Sequence, residues 1–182
     1  MPTLTNAQRA DIVAAELRPL EDELRAMGLT FREIPDDAIL RAPLYGAAIG
    51  KFLAFLQGGH SDRSLASVAG LLTGKAPEIK AAWSDIVALY RAAPGGEGPP
   101  VKGDTAILPL RTKEALANAV LAAFTPKKVP DLLALLEDPD NGPSRVILLR
   151  ALKRRRTAPD VALAVETLRS DPDLNAELSR WT

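Results

Sequence analysis

The sequence predicts an all-α chain assembled from repeated helix pairs, and three observations carry that reading. Val, Ile and Thr never fall into the alternating apolar and polar runs that a half-buried strand requires, while Ala and Leu dominate the apolar residues. Apolar residues recur instead at i, i+3, i+4 and i+7, the stripe that one face of a helix buries. Such stripes begin at residues 49, 83, 129 and 161, giving steps of 34, 46 and 32. Finally, Asp138-Pro139-Asp140 returns 33 residues later as Asp171-Pro172-Asp173. Asp before Pro marks a turn and a helix start.

The elements follow in order. Thr5-Asn6-Ala7-Gln8 has the form of a capping box. The helix it opens carries Val13, Leu17, Leu20, Leu24 and Met27 on one stripe and stops at Gly28, with Pro19 expected to kink or split it. Four first helices then carry the recurring stripe: Ile49, Phe52, Leu53, Leu56; Trp83, Ile86, Val87, Tyr90; Val129, Leu132, Leu133, Leu136; and Val161, Ala164, Val165, Leu168. A second helix follows each. Lys113–Phe124 and Arg145–Arg156 share a phase when Lys113 is set on Arg145, which pairs Leu116 with Leu148, Ala117 with Leu149 and Val120 with Leu152. Ser64–Leu72 fits more loosely through Ser67, Val68 and Leu71, and Leu174–Trp181 is barely two turns. The long step is explained by residues 92–110, AAPGGEGPPVKGDTAILPL, which read as a flexible loop insertion.

Composition narrows the chemistry. The 182 residues suit one domain with a real core, and 23 acids balance 23 bases, which weighs against a dedicated nucleic-acid binder. The absence of cysteine excludes disulfides, thiolate nucleophiles and Cys-based metal sites. The single histidine, His60, excludes a multi-histidine zinc site within one chain. No nucleophile–base pair is visible, so neither catalysis nor a cofactor is expected. The N-terminus reaches charge within nine residues without an apolar core segment, and no run approaches eighteen apolar residues. A cytoplasmic chain without a membrane span is expected.

One motif is more specific. Asp138 lies in a turn, Arg145 opens the second helix, and Ala151-Leu152 stand six and seven places later. Lys113 with Ala119-Val120 echoes this arrangement. The pattern resembles the HEAT-repeat family, including its short bacterial type, over roughly residues 44 to 181. The Asp138 to Arg145 spacing is one residue longer than usual because of Asn141-Gly142-Pro143. The resemblance implies an α-solenoid of about four helix pairs in a single domain over residues 1–182. It would comprise an N-terminal cap (1–43), repeats (44–92), the Gly/Pro-rich loop (93–110) and further repeats (111–182). It also implies a concave binding face lined by second helices.

The candidate contacts follow from the helical wheel. Arg145–Arg156 packs six basic side chains into twelve positions. Arg145 points near the core seam and is expected to pair with Asp138 or Asp140. Arg150, Lys153 and Arg154 face outward, as do Glu114, Asn118 and Leu121 of the preceding second helix, and Arg156 belongs to the same basic run. These residues are the candidate surface of a non-enzymatic scaffold or adaptor for a protein partner, with exposed Leu121 favouring protein. The alternative is nucleic-acid binding through 145–156, although no aromatic residue is interleaved there to stack on bases. GGEGPPVKGDT lacks the Gly-x4-Gly-Lys-Ser/Thr order of a phosphate loop, and its prolines remove backbone donors. His60, Asp36-Asp37 and Glu21-Asp22-Glu23 read as polar surface, Trp83 and Tyr90 as core, and Trp181 either seals the last pair or meets a partner.

Overall fold

The computed structural model describes residues 3–30 and 37–181. It is mostly helical, and none of its helices among these residues is long and apolar enough to cross a membrane. Of the acidic pair Asp36-Asp37, Asp36 lies outside the described residues. The chain gathers into two compact units, Met1–Ala123 and Phe124–Thr182.

The first unit opens with α1 (Asn6–Ala26). Its capping box is reciprocal: the Gln8 N–H donates to Thr5 Oγ1 at 3.2 Å, and the Thr5 N–H donates to Gln8 Oε1 at 2.9 Å. The helix runs through Pro19 without splitting, contrary to one expectation. Pro19 and Ala15, whose carbonyl loses its helical donor, are both exposed, so water meets that loss. The end is a Schellman turn. Gly28 takes φ +78°, its N–H donates to the Arg25 carbonyl, and the Leu29 N–H donates to the Leu24 carbonyl, both at 2.9 Å. Leu29 is buried, completing the apolar contact that accompanies this cap.

A one-turn α2 (Asp37–Leu40) precedes α3 (Tyr45–Leu56) and α4 (Asp62–Gly70). The next helix was not anticipated: α5 (Pro77–Ala81), which buries Ile79, comes before α6 (Trp83–Ala92). The first unit closes with α7 (Thr112–Ala123). In it α3 packs on α4, α6 on α7, α3 on α6 and α4 on α7, with α1 against α3 and α4. Trp83 and Tyr90 are core, as expected. Tyr45 is buried where α3 meets the end of α4: its hydroxyl donates to the Leu71 carbonyl and accepts from the Gly74 N–H. Burial pushes that phenol up to about 12, against the opposing pull of the Gly74 N–H, so it remains a donor at neutral pH. A Cβ on Gly74 would stand 2.6 Å from the ring, which is why the position takes no side chain.

The loop between α6 and α7 corrects the expectation of a free excursion. Two short strands, β1 (Glu97–Gly98) and β2 (Leu108–Pro109), pair antiparallel across its base. Val101 is buried, the Arg63 N–H donates to the Pro100 carbonyl at 3.1 Å, and the Lys102 N–H donates to Ser61 Oγ at 3.0 Å. Gly and Pro content signalled an insertion, but not the distant groups that tie it down.

The second unit holds α8 (Val129–Glu137), α9 (Arg145–Leu152), α10 (Pro159–Leu168) and the single turn α11 (Asn175–Leu178). Here α8 packs on α9 and on α10. Asp138 and Asp171 play the same part in their turns, each accepting from the N–H two residues on, at 3.1 and 2.9 Å. Trp181 is buried, and its Nε1–H donates to Glu177 Oε1 at 3.3 Å, so it seals the end of this unit.

Candidate functional site

Arg145 begins α9 as a core residue, with only 2% of its surface exposed. The expected partners, Asp138 and Asp140, are not the ones it takes. Nη1 donates to Asp171 Oδ2 at 2.7 Å, and Nη2 donates to Asp171 Oδ1 at 3.2 Å and Asp173 Oδ2 at 3.0 Å. The Leu136 and Gly142 carbonyls accept from Nη1 and Nε. Every face of the fork is therefore occupied, as a buried guanidinium requires. Burial alone would weaken its hold on the proton, but Asp171 and Asp173 outweigh that and hold it above the usual arginine value. Asp138 is instead committed to its own turn. Lys113, the equivalent residue of α7, is buried too, donating to the Ala93 carbonyl at 3.2 Å beneath the Tyr90 ring.

The rest of the basic run behaves differently. α9 stops at Leu152, and Lys153–Arg155 form a tighter 3₁₀ turn, so the helical phase expected through Arg156 ends four residues early. Arg150, Lys153, Arg154, Arg155 and Arg156 are all exposed, and none has an ion-pair partner among the described residues. Their position at the helix C-terminus suits the dipole. They form a dense surface of free positive charge.

On α7, Glu114 is exposed, while Asn118 is half-buried and donates Nδ2–H to the Glu114 carbonyl at 2.9 Å. Leu121 is half-buried rather than exposed, so less apolar surface is available there than the wheel implied. These three residues belong to the first unit and the basic run to the second.

Three carboxylates in the first unit take partners far away in the sequence. Glu16, on α1, accepts from the Ser61 N–H and hydroxyl, each at 2.9 Å, and from the Ser64 hydroxyl at 2.6 Å. It satisfies the N–H of Ser61, the N-cap residue of α4, while the first-turn Arg63 N–H is met by the Pro100 carbonyl. Burial would raise its pKa, but the bonds from Ser64 and Ser61, with the nearby charge of His60, bring it below the usual value. Both serine hydroxyls are thus donors to the same carboxylate. Asp62 accepts from the Arg111 and Thr112 N–H groups and caps α7. Asp104 accepts from Arg9 Nε at 2.6 Å and from the Leu4 and Ala106 N–H groups, contacts that hold its carboxyl well below the ordinary range. His60 lies flat on Phe55, with ring centroids 3.9 Å apart and planes within 4°. The Glu21-Asp22-Glu23 cluster is surface, where Asp22 pairs with Arg25 and Glu23 with Lys51.

Glu16, Asp62 and Asp104 act across 45 to 100 residues of sequence, and no local motif announces such pairings. Compared with known proteins, the chain matches no family model, no curated protein and no solved structure.

Proposed function

We propose that the chain is a HEAT-like α-solenoid of about four helix pairs with an N-terminal cap, serving as a non-enzymatic scaffold that binds an acidic protein segment. Within the first unit, pairing of α3 with α4 and α6 with α7, with like helices adjacent, supports the repeat reading. The shared core phase of α7 and α9 supports it again. The observation that carries the function is the run Arg150–Arg156: five exposed cations with no ion-pair partner among the described residues. Arg145, by contrast, is fully used within the fold. Glu114 and Asn118 offer a polar surface on α7, with a smaller apolar contribution from Leu121.

Nucleic acid is the second reading, favoured by the same charge density. Overall neutrality and the absence of an aromatic residue among the five cations favour protein. Fluorescence anisotropy separates them, using a labelled decaglutamate peptide and a short DNA duplex at two salt concentrations. The protein reading expects peptide binding that falls at least tenfold in R150E/K153E/R154E. Five phosphate contacts would give duplex binding a salt slope of about −4.5, and a value near it would favour nucleic acid. No binding of either probe would remove the basic run as the contact surface.

A further inference from the structure

A cleft of about 470 Å³ opens in the first unit where the first turns of α1 and α4 meet the passage from β2 into α7. Arg9, Arg63 and Arg111 line it, facing one acid, Asp62, and a wall that includes Pro100 and Leu108. These arginines come from three separate segments; Arg9 is held by its guanidinium, and Arg63 and Arg111 by their backbone. Arg9 gives Nε to Asp104 and Nη1 to Asn6 Oδ1 at 3.1 Å. Arg63 is fixed by its backbone bond to Pro100, and Arg111 by its N–H on the Asp62 carboxylate at 2.9 and 3.1 Å. The guanidinium groups of Arg63 and Arg111 have no partner among the described residues. Asp62, whose oxygens accept from the Arg111 and Thr112 N–H groups, offsets one of these positive charges, and Asp104 pairs with Arg9.

With Arg9 paired to Asp104, the lining still holds two guanidinium groups against the single carboxylate of Asp62, a net positive charge that favours an anion. Guanidinium forks match the oxygens of a tetrahedral oxyanion two at a time. The volume lies within the roughly 300–1,000 Å³ of small-ligand sites. Leu108 is 41% exposed and the adjacent Ile107 61%, which leaves apolar surface beside the charge. We infer that this cleft binds a small phosphate ester. Arg63 and Arg111 grip the phosphate beside Arg9, and the organic part lies against Leu108 and Pro100. The site is separate from the basic run and does not depend on its function.

Titration of the ¹⁵N-labelled protein with phenyl phosphate and with inorganic phosphate, against sodium chloride at matched ionic strength, tests this. Saturable amide shifts at Arg63, Leu108 and Arg111 are expected, with phenyl phosphate the tighter ligand. R63Q/R111Q should weaken both at least tenfold. R63Q alone, which removes no contact within the fold, should weaken them measurably with the rest of the spectrum unchanged. R150E/K153E/R154E should titrate like the wild type. Shifts that do not saturate, that persist unchanged in R63Q/R111Q, or that fall only on residues 150–156 would overturn the assignment.

Discussion

Arg145 shows what a single buried cation demands of its surroundings. That it sits at the core seam and is paired follows from its phase on α9, because a guanidinium in a core must find acceptors. Which acids serve was not legible: Asp138 is seven residues away in sequence, yet the partners are 26 and 28 residues away. The nearer aspartate was already occupied in its turn, and a fork with five donors reaches whichever acceptors the packing presents. The two aspartates therefore separate on substitution. Asp138→Ala removes a turn cap and should cost about 1 kcal/mol. Asp171→Ala removes the equivalent cap and also strips Arg145 of two bonds, so about 3 kcal/mol is expected, near the lower end for a broken buried pair because Asp173 remains. Urea unfolding followed by circular dichroism measures both, and equal losses would mean that the Arg145 network contributes little.

Helices were the most legible level. Aligned positions of α7 and α9, Leu116 with Leu148, Ala117 with Leu149 and Val120 with Leu152, are buried without exception. Among the first helices the stripe is narrower than drawn: Leu53, Val87 and Leu133 are only half-buried, while Val165 alone of the i+4 positions is buried. In α8 the core takes Leu135 instead, because neighbours cover that side of the helix, a fact periodicity does not contain. This distinction has a measurable consequence. Leu149→Asp places a charge where no surface is exposed and should cost at least about 4 kcal/mol, enough to unfold its unit. Leu133→Asp keeps access to water and should cost about 1–2 kcal/mol. Thermal melts that ranked the two alike would show that α8 is rotated from its described setting. Short elements were the least legible: α5 and the β1–β2 ladder are too brief to leave a periodic trace.

At the scale of the molecule, much of the candidate chemistry was invisible for a physical reason. A helix stripe is written locally, whereas the Arg9–Asp104 pair and the Asp62 cap join residues 95 and 49 or 50 positions apart. The basic run was legible because it is contiguous; the arginine cleft was not, because its members are scattered. The long-range carboxylates also set the pH response. Glu16, Asp104 and Asp171 are all held below their ordinary values in the fold. Their unfolded counterparts take up protons near pH 4, before the folded groups do. Their contribution is thus present in full above about pH 5 and is lost as pH falls through the lower folded values. Melting temperature should drop steeply below pH 4, and Asp104→Asn should flatten that drop while lowering stability at pH 7. An unchanged acid slope in the variant would show that Asp104 is not among the groups responsible.

The Arg9–Asp104 bond also has a timetable. A ribosome adding roughly 5–20 residues per second needs about 5 to 20 seconds to travel from the first partner to the second. During that interval α1 has already emerged, but the acid that fastens its first turn has not yet been made. The opening helix of the newborn chain therefore waits, with its arginine in water, until the loop ahead of α7 arrives to close the latch.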